Sequence, residues 1–181
     1  VPSIDLLAAD PDCRPALGED ICSFLESASY PALDEGRSEE ETVRTVHRLV
    51  KPLRGSLTES ALWLVANQLD RSHTVSQDDP SAEGSYFHGI MHRREGDYSN
   101  AKYWMRRVGQ HPVHDQLAHL VADTDELPTD LQQHLKNPDE LPFILVDSTA
   151  KALKSKADWI EGLQKIGWWE WQLLLKHCLP H

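Results

Sequence analysis

The sequence predicts an all-α fold, a single-domain helical bundle of antiparallel hairpins. Apolar residues recur at helical spacing along most of the chain, and Ser-x-x-Glu signatures, Gly and Pro fall where helices would begin and end. The one β-like run, Phe143 to Val146, has no second strand pattern to pair with and is read as helical. At 181 residues the chain suits one domain, 1–181, with a core that needs neither disulfides nor metal staples.

Residues 1–16 carry Pro2, Pro11 and Pro15 and read as an irregular surface segment, after which Ala16 to Glu26 makes a first short helix. Ser38-Glu39-Glu40-Glu41 reads as a capping box that opens a helix to about Leu53, with Val43, Val46, His47 and Val50 on one face. Pro52 and Gly55 end it. Ser56 to Glu59 repeats the signature, and Leu62, Val65 and Leu69 carry a helix to about Arg71, antiparallel to the one before. Residues 75–84, with Asp78, Asp79, Pro80 and Gly84, read as the loop before a central hairpin.

That hairpin runs from Ser85 to Glu95 and from Ser99 to Val108 around a Gly96-Asp97 turn, with Asp97 as an N-cap. Shorter helices are expected from Pro112 to Ala122 and from Pro128 to about Leu135. The final helical region, Phe143 to Cys178, is expected to break near Lys154 to Ala157. Gly89, Gly96, Tyr98, Ala101 and Pro112 fall where a tetratricopeptide unit wants a small residue, a turn, an aromatic, a close helix contact and a terminator. Residues 85–112 therefore resemble a single tetratricopeptide-like hairpin. The likeness departs at Met105 and has no second unit at the same period, so it implies hairpin packing without a peptide-binding superhelix. The segments HRREGD, 92–97, and EWQLLLKHC, 170–178, also resemble a protein family of unknown function, which implies no activity.

Acidic residues outnumber basic ones by 29 to 18, for a net charge of -11, and this argues against wholesale binding to a nucleic-acid backbone. Arg93, Arg94, Arg106 and Arg107 nevertheless crowd into the hairpin, a local positive spot that could steer a small anion or pair with carboxylates. Cys13, Cys22 and Cys178 are odd in number and lack a Cys-x-x-Cys spacing, so a reducing compartment is expected. The opening residues do not read as a leader, and no apolar stretch approaches the roughly 18 residues that span a bilayer, so the expected location is cytoplasmic and off the membrane. No phosphate loop, nucleophile elbow or His-Glu-x-x-His motif occurs.

On a helical wheel Phe87, Ile90 and Met91 form the apolar face of the first hairpin helix, and His88, His92 and Glu95 share its flank within an arc of about 60°. Two imidazoles and a carboxylate at this spacing suit a divalent transition metal, with His177 or Glu170 of the last helix as a further ligand. Arg94 lies in line with the apolar residues and needs an inward partner, for which Glu170, in the apolar stripe of the last helix, is the natural candidate. Asn100, Tyr103, Trp104 and Arg107 share a polar-aromatic flank of the kind that lines a small-ligand pocket. His111, His114 and His119 scatter on the wheel and read as helix-start or surface residues.

Two functional classes follow. In the first, Arg94, Asn100, Tyr103, Trp104, Arg107 and Glu170 bind a small anionic ligand or a protein partner. In the second, a metal-dependent enzyme of hydrolase or lyase type holds its metal on His88, His92, Glu95 and His177.

Overall fold

The computed structural model describes residues 3–123 and 137–180, and among these it contains helices and no strand, as the all-α expectation requires. The N-terminal segment departs from the irregular path expected of it. It forms α1 (Asp5–Ala8), α2 (Cys13–Leu17) and α3 (Glu19–Ser27). Leu7, Cys13, Leu17, Ile21, Cys22 and Leu25 are all buried there, and that tertiary burial outweighs the weak local signals of a proline-rich stretch. Gly18, at φ 83°, divides the helix expected over Ala16 to Glu26 into α2 and α3.

Ser38 does not cap α4 (Glu40–Leu49), whose first turn receives no side-chain cap. Its hydroxyl instead donates to the Asn67 carbonyl at 2.9 Å and accepts from Gln68 Nε2 at 2.7 Å. A 3-10 turn, Lys51–Leu53, ends this arm. Ser56 does cap α5 (Leu57–Val65), accepting from the Glu59 N–H at 3.3 Å. The helix expected to run on to Arg71 stops at Asn67, which sits at φ 55°, and resumes as α6 (Leu69–Ser76). Asparagine is among the few residues other than glycine that enter this left-handed region readily.

The central hairpin forms as expected from α7 (Ala82–Glu95) and α8 (Tyr98–Val108). Ser81 caps α7 by accepting from the Gly84 N–H at 2.9 Å, so the helix starts before Ser85 and the preceding loop is shorter than the sequence suggests. Gly96 ends α7 at φ 87°, and Asp97 caps α8 by accepting from the Asn100 N–H at 3.1 Å. Gly89 lets the two helices close up: a Cβ there would lie 2.9 Å from Met105 Cε. Next comes α9 (Pro112–Ala122), with the expected bounds. The helix expected from Pro128 to Leu135 lies outside the described residues. A 3-10 turn, Pro138–Glu140, leads into α10 (Leu141–Ser155), so Phe143 to Val146 is helical. The expected break occurs at Lys156, φ 50°, before α11 (Ile160–Cys178).

Helix α7 packs against α5, α6 and α8, while α11 lies across α1, α5, α9 and α10. Trp168 and Trp171 stack with centroids 4.7 Å apart, and their indole N–H groups donate to the carbonyls of Ser3 at 2.7 Å and Ala61 at 3.0 Å. These bonds fasten the N-terminal segment and α5 to α11. From Gly84 to Arg94 every residue of α7 is buried, so the helix has no solvent face. His88, His92, Arg93 and Arg94 are thereby placed inside the molecule, where each needs a polar partner. Among the described residues no helix is long and apolar enough to cross a membrane.

Candidate functional site

Arg94 and Glu170 are both buried, at 5% and 0% exposure, but they do not meet. Glu170 is held by Arg93, whose Nη1 donates to Oε1 at 3.2 Å while Nη2 donates to Oε2, and by the Tyr86 hydroxyl at 3.2 Å. Arg94 turns the other way. Its Nε donates to the Asp34 carbonyl at 3.1 Å, Nη1 to the Leu64 carbonyl at 2.6 Å, and Nη2 to Asn67 Oδ1. Successive residues on a helix diverge by about 100°. On an enclosed helix both directions are inward, and the wheel cannot say which arginine meets which acid. Burial alone would lower the pKa of Arg93, but Glu170 more than reverses this, while burial and Glu170 together drive the Tyr86 phenol well above its ordinary value. Burial, then the charge of Arg93, pushes Arg94 down to about 10.

His73 from α6 joins His88 and His92 from α7, with ligating atoms that all lie within 4.8 Å of one another. Ring centroids are 4.5 Å apart for His73 and His88 and 4.7 Å for His88 and His92. The i, i+4 pair comes together as the wheel implies. Glu95 stands behind it and does not face the cluster: its Oε2 accepts from His92 Nδ1 at 2.9 Å. With the proton on Nδ1, the His92 Nε2 lone pair accepts from Asn100 Nδ2 at 3.1 Å. The Ser76 hydroxyl donates to the Ser72 carbonyl at 2.9 Å, which turns its own lone pair toward His88 Nδ1 at 3.5 Å. With its hydrogen spent on Ser72, Ser76 is an acceptor for an Nδ1 proton of His88. Burial, followed by the neighbouring His73 and His92, pushes the His88 pKa down to about 3, so this imidazole is neutral at physiological pH.

The polar-aromatic flank of α8 belongs to this cluster. Trp104 stacks on His88 at 4.0 Å with planes 29° apart, and the Arg107 guanidinium lies over the Trp104 ring, 5.1 Å from its centroid. Tyr103 meets Trp104 edge-on and is itself exposed. Asn100, Trp104 and Arg107 thus form a wall and rim over the histidines.

His177 joins a different group. It is exposed on the last turn of α11. Its Nε2 and that of His111 both lie 3.3 Å from Glu83 Oε1. His111 caps α9, its Nδ1 accepting from the Val113 N–H at 3.3 Å, which forces the proton of the neutral ring onto Nε2. Burial raises the Glu83 carboxyl, but its backbone hydrogen bond and the two imidazoles outweigh this and hold it below its ordinary value. Read as helix-start or surface residues, His111 and His114 do stand at the start of α9 but are both buried, and His114 Nδ1 donates to Asp139 Oδ1 at 2.9 Å. His119 is exposed, as expected, with Nδ1 donating to the Asp115 carbonyl at 2.7 Å.

Sequence reasoning missed His73, Tyr86 and Glu83, and it named Arg93 without its partner Glu170. His73 is one residue from Ser72 and three from Ser76, both buried, but the break at Asn67 that aims α6 at α7 has no periodic signature. No family model, curated protein or solved structure matches this chain.

Proposed function

We propose that the protein binds a divalent transition metal on His73, His88 and His92 and uses it to activate water. The observation that carries the reading is the cluster itself: three imidazoles whose ligating nitrogens lie within 4.8 Å of one another, two of them backed at Nδ1 by Ser76 and Glu95. Metal ligation requires unprotonated nitrogen, and ligand histidines characteristically donate their other N–H to a carboxylate or hydroxyl. Glu95 and Ser76 are placed to do that. Three imidazoles leave a fourth coordination position for water, whose lowered pKa serves hydrolysis or hydration.

Asn100 stands at the His92 lone pair, where a metal would displace its amide nitrogen; a half-turn of the amide presents Oδ1 instead, toward the metal or its water. Arg107 on the rim favours an anionic substrate, and His73, the half-buried member, lies on the open side. The test is calorimetric titration of zinc into tag-free protein, wild type and His88→Ala. One equivalent of binding in the wild type that is lost in the variant supports the reading. Equal or absent heats for the two proteins sink it.

A further inference from the structure

We propose that the cleft beside Arg94 is a binding site for one small monovalent anion of chloride, nitrate or formate size. It goes beyond the metal reading and does not rest on it. The cleft is walled by Leu64 of α5, by Ile90, Arg93 and Arg94 of α7, and by Gly167 and Trp171 of α11. Its free space is about 30 Å³, room for one or two waters or an ion of that size.

Charge bookkeeping points to an anion. The two guanidiniums on this wall differ: Arg93 is neutralised by Glu170 at two hydrogen bonds, whereas Arg94 touches two main-chain carbonyls and one amide oxygen. Among the described residues no carboxylate oxygen lies within ion-pair distance of Arg94. Asp34 offers its carbonyl, while its carboxylate is exposed, accepts from the Gly36 N–H at 3.0 Å and acts on Arg94 only through its charge from outside contact distance. A guanidinium has five N–H donors, so three bonds leave Arg94 with two to spare. A buried cation without a counter-charge is costly, and a single negative charge in the cleft offsets it. A dianion overshoots. The predominantly apolar wall also favours weakly hydrated ions over sulfate.

Gly167 is the second, independent mark of a kept space. It lies inside α11, where glycine is destabilising relative to alanine, and a Cβ built on it meets nothing within 4 Å. No close helix contact explains the glycine. The open volume beside Arg94 does.

The experiment follows the unfolding midpoint of the metal-stripped full chain in chloride, nitrate or formate, with bulky gluconate holding the ionic strength constant. The expected result is a rise of about 5–10 °C at an anion concentration roughly a hundredfold above Kd, growing with the logarithm of concentration beyond Kd. Gly167→Leu, which fills the cleft and leaves the Arg94 charge in place, and Arg94→Gln, which removes the charge, should both lose that rise. No such rise in the wild type overturns the proposal, and so does a full rise retained by Gly167→Leu, which would locate the ion elsewhere. Should a variant fail to fold, bromide-soaked wild-type crystals decide: an anomalous peak at Arg94 supports the site, and none at saturating bromide overturns it.

Discussion

Two histidine clusters border α7, one built with α6 and roofed by α8, the other shared with α9 and α11, and they differ in which ring nitrogen is tied down. At His88 and His92 Nδ1 faces Ser76 and Glu95, which accept its proton, and Asn100 Nδ2 donates to His92 Nε2. At His111 the helix cap occupies the Nδ1 lone pair, so Nε2 must carry the proton and donate to Glu83. Both groups bring three ligand-type side chains within 4.8 Å. Spacing therefore does not separate a metal site from a hydrogen-bonded clamp. The partner of the other nitrogen does, because it decides where the lone pair points.

The sharpest way to break this comparison is to remove one ring from each cluster. His88→Ala should weaken zinc binding by more than about 100-fold, while His111→Ala should leave it almost unchanged. Titration calorimetry on both variants reads the difference, and equal losses would erase it. Glu95→Gln probes the support behind His92 and should cost about 10–100-fold in affinity with little change in stability, measured by competition against a chromophoric chelator. A smaller effect concerns acid. In the metal-free protein the unfolded chain protonates residue 88 near its ordinary 6.5, whereas the folded state refuses the proton until about 3. The stability contributed by neutral His88 is thus complete above pH 6.5 and declines as pH falls toward 3, by up to about 1.4 kcal/mol per pH unit. Urea titrations across that window should show the slope, reduced in His88→Gln. Smallest is the clamp itself: His111→Ala should lower metal-free stability by about 1 kcal/mol through the lost cap, seen as a shift in the urea midpoint.

What the sequence made legible was local. Ser56, Gly96, Asp97 and Pro112 mark helix ends through contacts with residues a few positions away, and those ends lie where they were expected. The i, i+4 pairing of His88 and His92 is equally local. Buried Arg94 and Glu170 were foreseeable from their phase, yet each took a different partner. Periodicity reports that a side chain points inward, not what it meets, and α7 is enclosed on all sides. The N-terminal helices and the approach of His73 depend on long-range packing that no short window contains.

Asn67 shows how much one such position decides. It holds a left-handed backbone, donates to the Arg37 carbonyl at 2.9 Å and accepts from Arg94. Evolutionary drift here is filtered through three requirements at once. Glycine would keep the turn and forfeit both bonds. Aspartate would keep the turn and the acceptor, give up Arg37, and set a fixed carboxylate against the guanidinium. Conversion of Asn67 to aspartate, whether by mutation or by deamidation on ageing, would rewrite the ionic character of the interior at a single side chain.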